Sequence, residues 1–218
     1  SYNAFSRVHY MYQLLNSGSA LGNNCGPLLI AKSSLTKDEL GKATIAIPGI
    51  NTTANFLLSY AYPKAQQKRE FLFSEIEQAV LNDKVDAGVI IHENRFTYHE
   101  KGLVKIADLG ENWEQTTGFP IPLGGIAIHR RLKPQDRKAF DVLLRKSVQY
   151  AFDNPDASKE YVACHAQEMN ELVVRSHIDL YVNHYSLELG QKGKAAIAKM
   201  YEVGIQFGMP NVENAVFV

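Results

Sequence analysis

The residue best suited to chemistry is a histidine, His92, which directly follows an apolar run ending at Ile91 and opens a polar segment that continues to Tyr98. In open parallel sheets, ligands bind beyond the carboxyl ends of the strands, which is where His92 is expected to lie. A neutral imidazole, with an ordinary pKa of about 6.5, can accept a proton near neutral pH. We therefore predict that His92 is a general base, although a histidine that only hydrogen-bonds a loop fits the same pattern.

A metal site in this segment would recruit His92, Glu93 and His99. Their spacing matches no helical His-Glu-x-x-His site, and a strand would direct His92 and Glu93 to opposite faces. The chain also contains neither the phosphate-binding loop of ATPases nor a dinucleotide fingerprint. The sequence therefore predicts no metal and no cofactor.

A second candidate site lies where an apolar run ends at Ile47 and a glycine turn leads to Thr52 and Thr53. The two threonines open a predicted helix, and a helix N-terminus offers backbone N–H groups and the positive end of the helix dipole to an anion. Their hydroxyls add donors, so Thr52 and Thr53 are predicted to bind a carboxylate or phosphate. Simple capping of the helix is the alternative.

Two further segments leave their roles open. Cys25 lies in a glycine- and asparagine-rich loop, but a nucleophilic cysteine needs an adjacent base, which the sequence does not reveal. Trp113 follows a strand that closes at Asp108, and it could line a pocket or fill the core.

The composition excludes several classes of protein. The 218 residues are 45% hydrophobic, and 23 basic residues balance 23 acidic ones, so no net charge attracts nucleic acid or an anionic membrane. Any bound anion must be held by local groups. Two distant cysteines, and no apolar run of about 20 residues, predict a cytoplasmic protein without disulfides or membrane spans. No pattern indicates a particular oligomeric state.

Short apolar runs alternate with helical stretches, which is typical of an α/β protein with largely parallel sheets. Strands are predicted at 28–31, 44–47, 69–73, 87–91, 104–108 and 125–129, and helices at 53–60, 74–82 and 109–117. Residues 43–124 are predicted to form one lobe, and residues 1–42 with 125–218 the other. The cleft between two such lobes is a natural binding site. Three later helices are predicted to face the core: two with apolar stripes at 139–152 and 173–182, and a third at about 192–207.

Five sequence blocks, taken together, resemble 1,4-dihydroxy-6-naphthoate synthase of the futalosine route to menaquinone. They are Gly-Pro-Leu-Leu-Ile-Ala at 26–31, Pro-Gly with Thr-Thr at 48–53, Ile-Ile-His-Glu-Asn-Arg-Phe-Thr-Tyr at 90–98, Asp-Leu-Gly with Trp-Glu at 108–114 and Pro-Ile-Pro-Leu-Gly at 120–124. The likeness continues into the late helices, with Tyr-Val-Asn at 181–183 and Ser-Leu at 186–187.

The resemblance implies a two-lobed fold like that of type II periplasmic binding proteins, used to convert cyclic dehypoxanthine futalosine to the naphthoate. It implies that His92 is the proton acceptor and that Thr52, Thr53 and Ser1 bind the substrate. Family members begin with further residues, so we expect the first lobe to lack its N-terminal strands and to expose a sheet edge. Chorismate dehydratase of the same pathway and a non-catalytic solute-binding protein are the alternatives.

Overall fold

The computed structural model describes residues 1–92, 94–165, 171–212 and 216–218. The strands are β1 (Tyr12–Leu14), β2 (Ala20–Gly22), β3 (Leu28–Ala31), β4 (Ile45–Ile47), β5 (Lys68–Glu70), β6 (Ala87–Ile90), β7 (Val104–Asp108), β8 (Ile121–Gly124) and β9 (Ala127–His129). The helices are α1 (Tyr2–Ser6), α2 (Lys37–Leu40), α3 (Thr53–Ala61), α4 (Ile76–Leu81), α5 (Asn94–Thr97), α6 (Leu109–Thr117), α7 (Pro134–Asp153), α8 (Lys159–His165), α9 (Glu171–Tyr181), α10 (His184–Leu187) and α11 (Gly190–Gly204). Short 3₁₀ helices span Phe73–Glu75, Tyr98–Lys101 and Ile205–Phe207.

The chain forms two compact units. Unit 1 comprises Ser1–Gly22 and Pro122–Val218, and unit 2 comprises Asn23–Ile121. From the sequence, the divisions are predicted twenty residues later, at 42/43, and three residues later, at 124/125. The structure puts residues 23–42 in unit 2 because β3, within that stretch, pairs with β6 and β7.

Unit 2 is built on one five-stranded sheet with the order β5-β4-β6-β3-β7. β4 pairs in parallel with β5 and with β6, whereas β3 is antiparallel to both β6 and β7. The strands β4 to β7 therefore share one direction, and β3 runs against them. All four residues of β3 are buried, and a continuous apolar run reads the same in either direction, so the sequence does not reveal this reversal.

Helices cover the sheet of unit 2. The cluster around α4 includes Ile76 and Val80, which pack against Ile30, Ala46 and Ile90 of the sheet. A Cβ placed on Gly88 of β6 would lie 2.5 Å from Ile76 Cγ2, so the glycine is needed for α4 to approach the sheet. Elsewhere in unit 2, α3 and α6 pack against each other.

Unit 1 contains β1 and β9, which pair antiparallel, and the late helices. The stripe of α11, which includes Ala196, Ile197 and Met200, is buried, as the periodicity predicts. The stripes of α7 and α9 are not: neither helix contains a buried residue, and Leu143 is 64% exposed. The prediction of a core-facing stripe was therefore wrong for α7. In α9 the stripe that includes Val174 and Ile178 is half-buried and lies on the less exposed side of the helix. Helix α7 packs on α10, whose single turn of four residues is too short to cover a 20-residue helix.

Within the described parts of the chain, no helix is both long and apolar enough to cross a membrane.

Candidate active site

The candidate residues of unit 2 lie at one edge of its sheet. Since β4, β5, β6 and β7 point the same way, the segments that follow them all leave from this edge, and β3 begins there. Leu28, the first residue of β3, pairs with Ile90 on one side and with Asp108 on the other. The topology thus brings together the turn of His92, the start of α3 and the start of α6.

His92 stands in a turn just beyond β6, and its side chain is exposed. Its backbone has a φ of 58°, in the left-handed region that few residues other than glycine adopt. Its carbonyl oxygen accepts a hydrogen bond of 3.2 Å from the backbone N–H of Arg95, at the start of α5. A strained backbone conformation that the surrounding structure maintains is typical of functional sites.

The imidazole of His92 contacts one aromatic ring that the sequence analysis did not identify. The rings of His92 and Phe73 have centroids 5.2 Å apart and are tilted by 64°, an edge-to-face arrangement. Phe73 begins the 3₁₀ helix that follows β5. No sequence pattern links the two residues, because the chain order separates them by 19 positions while the sheet brings their strands to one edge.

Thr52 is the N-cap of α3. Its hydroxyl donates to the carbonyl oxygen of Gly49 at 2.7 Å and accepts from the backbone N–H of Asn55 at 3.2 Å. Thr53 follows as the first helical residue and is buried. An anion can bind through the Thr52 hydroxyl only if the bond to Gly49 is exchanged for one to the ligand. The structure thus shows Thr52 in the alternative role, as the cap of α3.

A carboxylate already lies against the loop that leads to α3. Glu70, at the end of β5, accepts a hydrogen bond from the backbone N–H of Ile50. That N–H and the N–H of Asn55 are both used within the protein. A bound anion must therefore be held by other groups at the start of α3.

Arg95 connects three of the segments that the sequence analysis quoted as separate blocks. Its guanidinium donates to the carbonyl oxygen of Gly26 and to Oδ2 of Asp108, the latter at 2.7 Å. The ion pair is largely buried, with the side chains of Arg95 and Asp108 exposed by 16% and 9%. Arg95 is a functional candidate that sequence reasoning missed, and its signal in the sequence is the presence of opposite charges in two of the blocks.

Ser1 lies in unit 1, where it caps the short helix α1. Its hydroxyl accepts a hydrogen bond from the backbone N–H of Ala4 at 3.3 Å. Capping through a hydroxyl oxygen is a common role of serine at this position.

Two other sequence candidates have structural roles. Cys25 is buried, and burial together with the nearby charge of Glu114 raises the pKa of its thiol to about 12, which keeps it from acting as a nucleophile near neutral pH. Trp113 is fully buried, and its indole N–H donates to the carbonyl oxygen of Pro120 at 3.2 Å. Trp113 therefore fills the core and does not line a pocket.

The hypothetical metal ligands are not all described, since Glu93 lies outside the described residues. His99 is in the 3₁₀ helix Tyr98–Lys101. Over the ranges that the structure covers, no group of three or more His, Cys, Asp or Glu side chains is placed to hold a metal ion.

A family described as menaquinone biosynthesis matches residues 1–206 of the chain. The chain belongs to this family. A 1,4-dihydroxy-6-naphthoate synthase of Thermus thermophilus is 41% identical over 201 residues, which cover 92% of this chain and 73% of that enzyme. A protein of the same name from Streptomyces coelicolor is 43% identical over 202 residues, covering 90% of this chain and 71% of the relative.

Solved structures agree with the family fold. A crystal structure of a protein from Archaeoglobus fulgidus superposes with a TM-score of 0.89 at 34% identity, covering 95% of this chain and 77% of that one. A sulfonate-binding protein of a transporter from Methylobacillus flagellatus gives a TM-score of 0.61 at 14% identity, over 98% of this chain and 67% of the other. The second likeness shows the fold alone. Together they confirm the predicted α/β fold of the periplasmic-binding-protein type.

Proposed function

We propose that this member of the menaquinone biosynthesis family is a 1,4-dihydroxy-6-naphthoate synthase, a lyase that forms the naphthoate from cyclic dehypoxanthine futalosine. The observation that carries the proposal is the identity of 41% and 43% to two synthases over nine tenths of the chain. Because both of these relatives are named synthases, they favour this function over chorismate dehydratase. Two ligand-binding components of transporters and one protein described as an ABC transporter resemble the chain at 11–19% identity, which supports only a common fold.

His92 is proposed as the general base. The reaction needs a base to begin carbon–carbon cleavage and aromatisation, and a neutral imidazole can accept the proton. The position of His92 beyond a strand end, its exposed ring and its left-handed backbone support this role. The imidazole also makes an edge-to-face contact with Phe73.

Thr52, Thr53 and Ser1 are proposed to bind the substrate, a small anionic molecule. The start of α3 supports the role of the threonines, because a helix of nine residues presents its positive end there. For Ser1 the support is the resemblance of the chain to the family. We further propose a cytoplasmic location, since the relatives are biosynthetic enzymes; cell fractionation with antibody detection tests this, and recovery in the periplasm would contradict it.

The test of catalysis is the variant His92→Asn, with His99→Asn as its matched control. Removal of a general base typically lowers the rate by about 10²–10⁴-fold, so His92→Asn should lose naphthoate formation and His99→Asn should retain it. Both purified variants should have the circular dichroism spectrum of the unmodified protein. Turnover of His92→Asn near that of the control would exclude His92 as the base.

The test of binding is the variant Thr53→Val, which keeps the shape of the side chain and removes its hydroxyl. Hydrogen bonds to a charged partner contribute about 1.5–3 kcal/mol, so affinity for the substrate should fall by roughly one to two orders of magnitude in calorimetry. The control Thr53→Ser, which restores the hydroxyl, should bind more tightly than the valine variant. Equal affinity of the two variants would contradict the proposed contact.

A further inference from the structure

We propose that Arg95 is a positioning residue that holds the turn of His92 by joining it to two other segments of unit 2. The inference rests on the proposed function, in which His92 is the base. It concerns a side chain whose two terminal guanidinium nitrogens each donate to a protein acceptor, which is a role in positioning and not in contact with the substrate.

Arg95 contacts the turn and the rest of the unit at the same time. Its backbone N–H donates to the carbonyl oxygen of His92 at 3.2 Å. Its side chain donates to the carbonyl oxygen of Gly26, before β3, and to the carboxylate of Asp108, at the end of β7. One residue therefore links the turn of His92, which follows β6, to β3 and β7, the next two strands of the sheet.

The two acceptors of Arg95 are themselves firmly placed. Asp108 uses its other oxygen, Oδ1, to accept the backbone N–H groups of Gly110 and Glu111, each at 3.0 Å, and so caps α6. Gly26 lies against the same helix start, since a Cβ on Gly26 would be 2.3 Å from Cα of Gly110. Neither acceptor can shift without moving the start of α6.

The turn needs such support. His92 has a φ of 58°, and a residue other than glycine keeps this conformation only where neighbouring structure holds it. The ion pair between Arg95 and Asp108 is largely removed from solvent, so salt screens it much less than an exposed pair. A displacement of about 1 Å in a reacting group can lower a rate by about 10²-fold. A loosened turn should therefore affect the chemical step.

The variant that isolates this role is Asp108→Asn. Asparagine can still cap α6 through its oxygen, but its amide nitrogen replaces the Oδ2 that accepts from Arg95, and an NH2 group can only donate a hydrogen bond. Arg95→Lys is the second variant, because lysine keeps the charge and loses the planar fork that spans two acceptors. The matched control is Asp83→Asn, which breaks the exposed pair of Lys32 and Asp83 in the same unit at a position with a φ of 57° that asparagine tolerates.

Steady-state kinetics of naphthoate formation should show a fall in kcat of about 10–100-fold for Asp108→Asn and Arg95→Lys, with KM changed by less than about threefold. Asp83→Asn should behave as the unmodified protein. Hydrogen exchange should show faster exchange of the backbone amides at 94–101 in the first two variants. A residue with only a general structural role would lower the melting temperature without this selective loss of kcat.

Values of kcat within about twofold of the control for both variants would overturn the inference. A raised KM with unchanged kcat would also overturn it, because it would place Arg95 in substrate binding. If Asp108→Asn does not fold, Arg95→Lys decides the matter by the same criteria. If the unmodified protein forms no naphthoate, the proposed function fails separately, and unchanged exchange at 94–101 would then still refute the role of Arg95 in holding the turn.

Discussion

Replacement of His92 by glycine should abolish catalysis and leave the stability of the protein almost unchanged. The reason is the left-handed backbone at this position, with a φ of 58°. Glycine adopts this conformation without the steric conflict of a Cβ atom, whereas histidine must be held in it. The protein thus tolerates a local strain at the residue proposed as its base.

Three contributions determine the change in free energy of unfolding for His92→Gly. Relief of the left-handed backbone stabilises the protein by about 1 kcal/mol. The greater freedom of glycine in the unfolded chain destabilises it by about 0.5–1 kcal/mol, and loss of the edge contact with Phe73 by about 0.5 kcal/mol. The net cost is therefore expected to be about 0–0.5 kcal/mol.

His99→Gly is the matched control. His99 also makes an edge contact with an aromatic ring, that of Tyr98 at 5.6 Å, but it lies in a right-handed 3₁₀ helix. Its replacement gains no relief, and should cost about 1–1.5 kcal/mol. Urea unfolding followed by circular dichroism measures both values. If His92→Gly is at least as destabilising as His99→Gly, the left-handed turn is not a site of strain and the reasoning fails.

Three further predictions concern the thiols and unit 2. Native protein should react with a chromogenic disulfide reagent at Cys164, which is exposed, and not at Cys25, which is buried. One thiol should therefore react before denaturation and two after it. Two rapid reactions in the native state would contradict the burial of Cys25. The folded pKa of Cys25, about 12, is raised above the unfolded value. The contribution of this thiol to stability is therefore complete below the unfolded pKa and is lost as pH rises through the folded pKa. In urea unfolding at alkaline pH, Cys25→Ala should lose less free energy of unfolding with rising pH than the unmodified protein. Gly26→Ala should destabilise the protein by about 3 kcal/mol, because its Cβ would lie 2.3 Å from backbone. Gly102→Ala, with open space around its Cβ and a φ of 77°, should cost only about 1 kcal/mol. Equal melting temperatures for the two variants would contradict the close approach of Gly26 to α6.

The local elements of unit 2 follow from the sequence because their signals are local. The predicted strands at 28–31 and 104–108 and the predicted helix at 109–117 match β3, β7 and α6. Apolar runs, the capping residue Asp108 and the closing residue Gly118, with its φ of 71°, are sufficient to define them. The same local signal placed His92 beyond the end of a strand.

The sequence does not show which elements become neighbours. The antiparallel direction of β3, and with it the assignment of residues 23–42 to unit 2, depends on strand pairing over long separations. The apolar stripe of α7 predicted a buried helix, but burial requires a partner surface, and helical periodicity describes only the helix itself.

The sequence by itself determined the family, the α/β class and the residue types available for chemistry, because these depend on residue identity and short-range order. Tertiary structure alone decided how those residues are held. It set the left-handed backbone of His92 and its contact with Phe73, and it paired Arg95 with Asp108 across 13 positions of the chain. Such contacts arise where a sheet gathers the ends of distant strands at one edge, and no local pattern encodes that geometry.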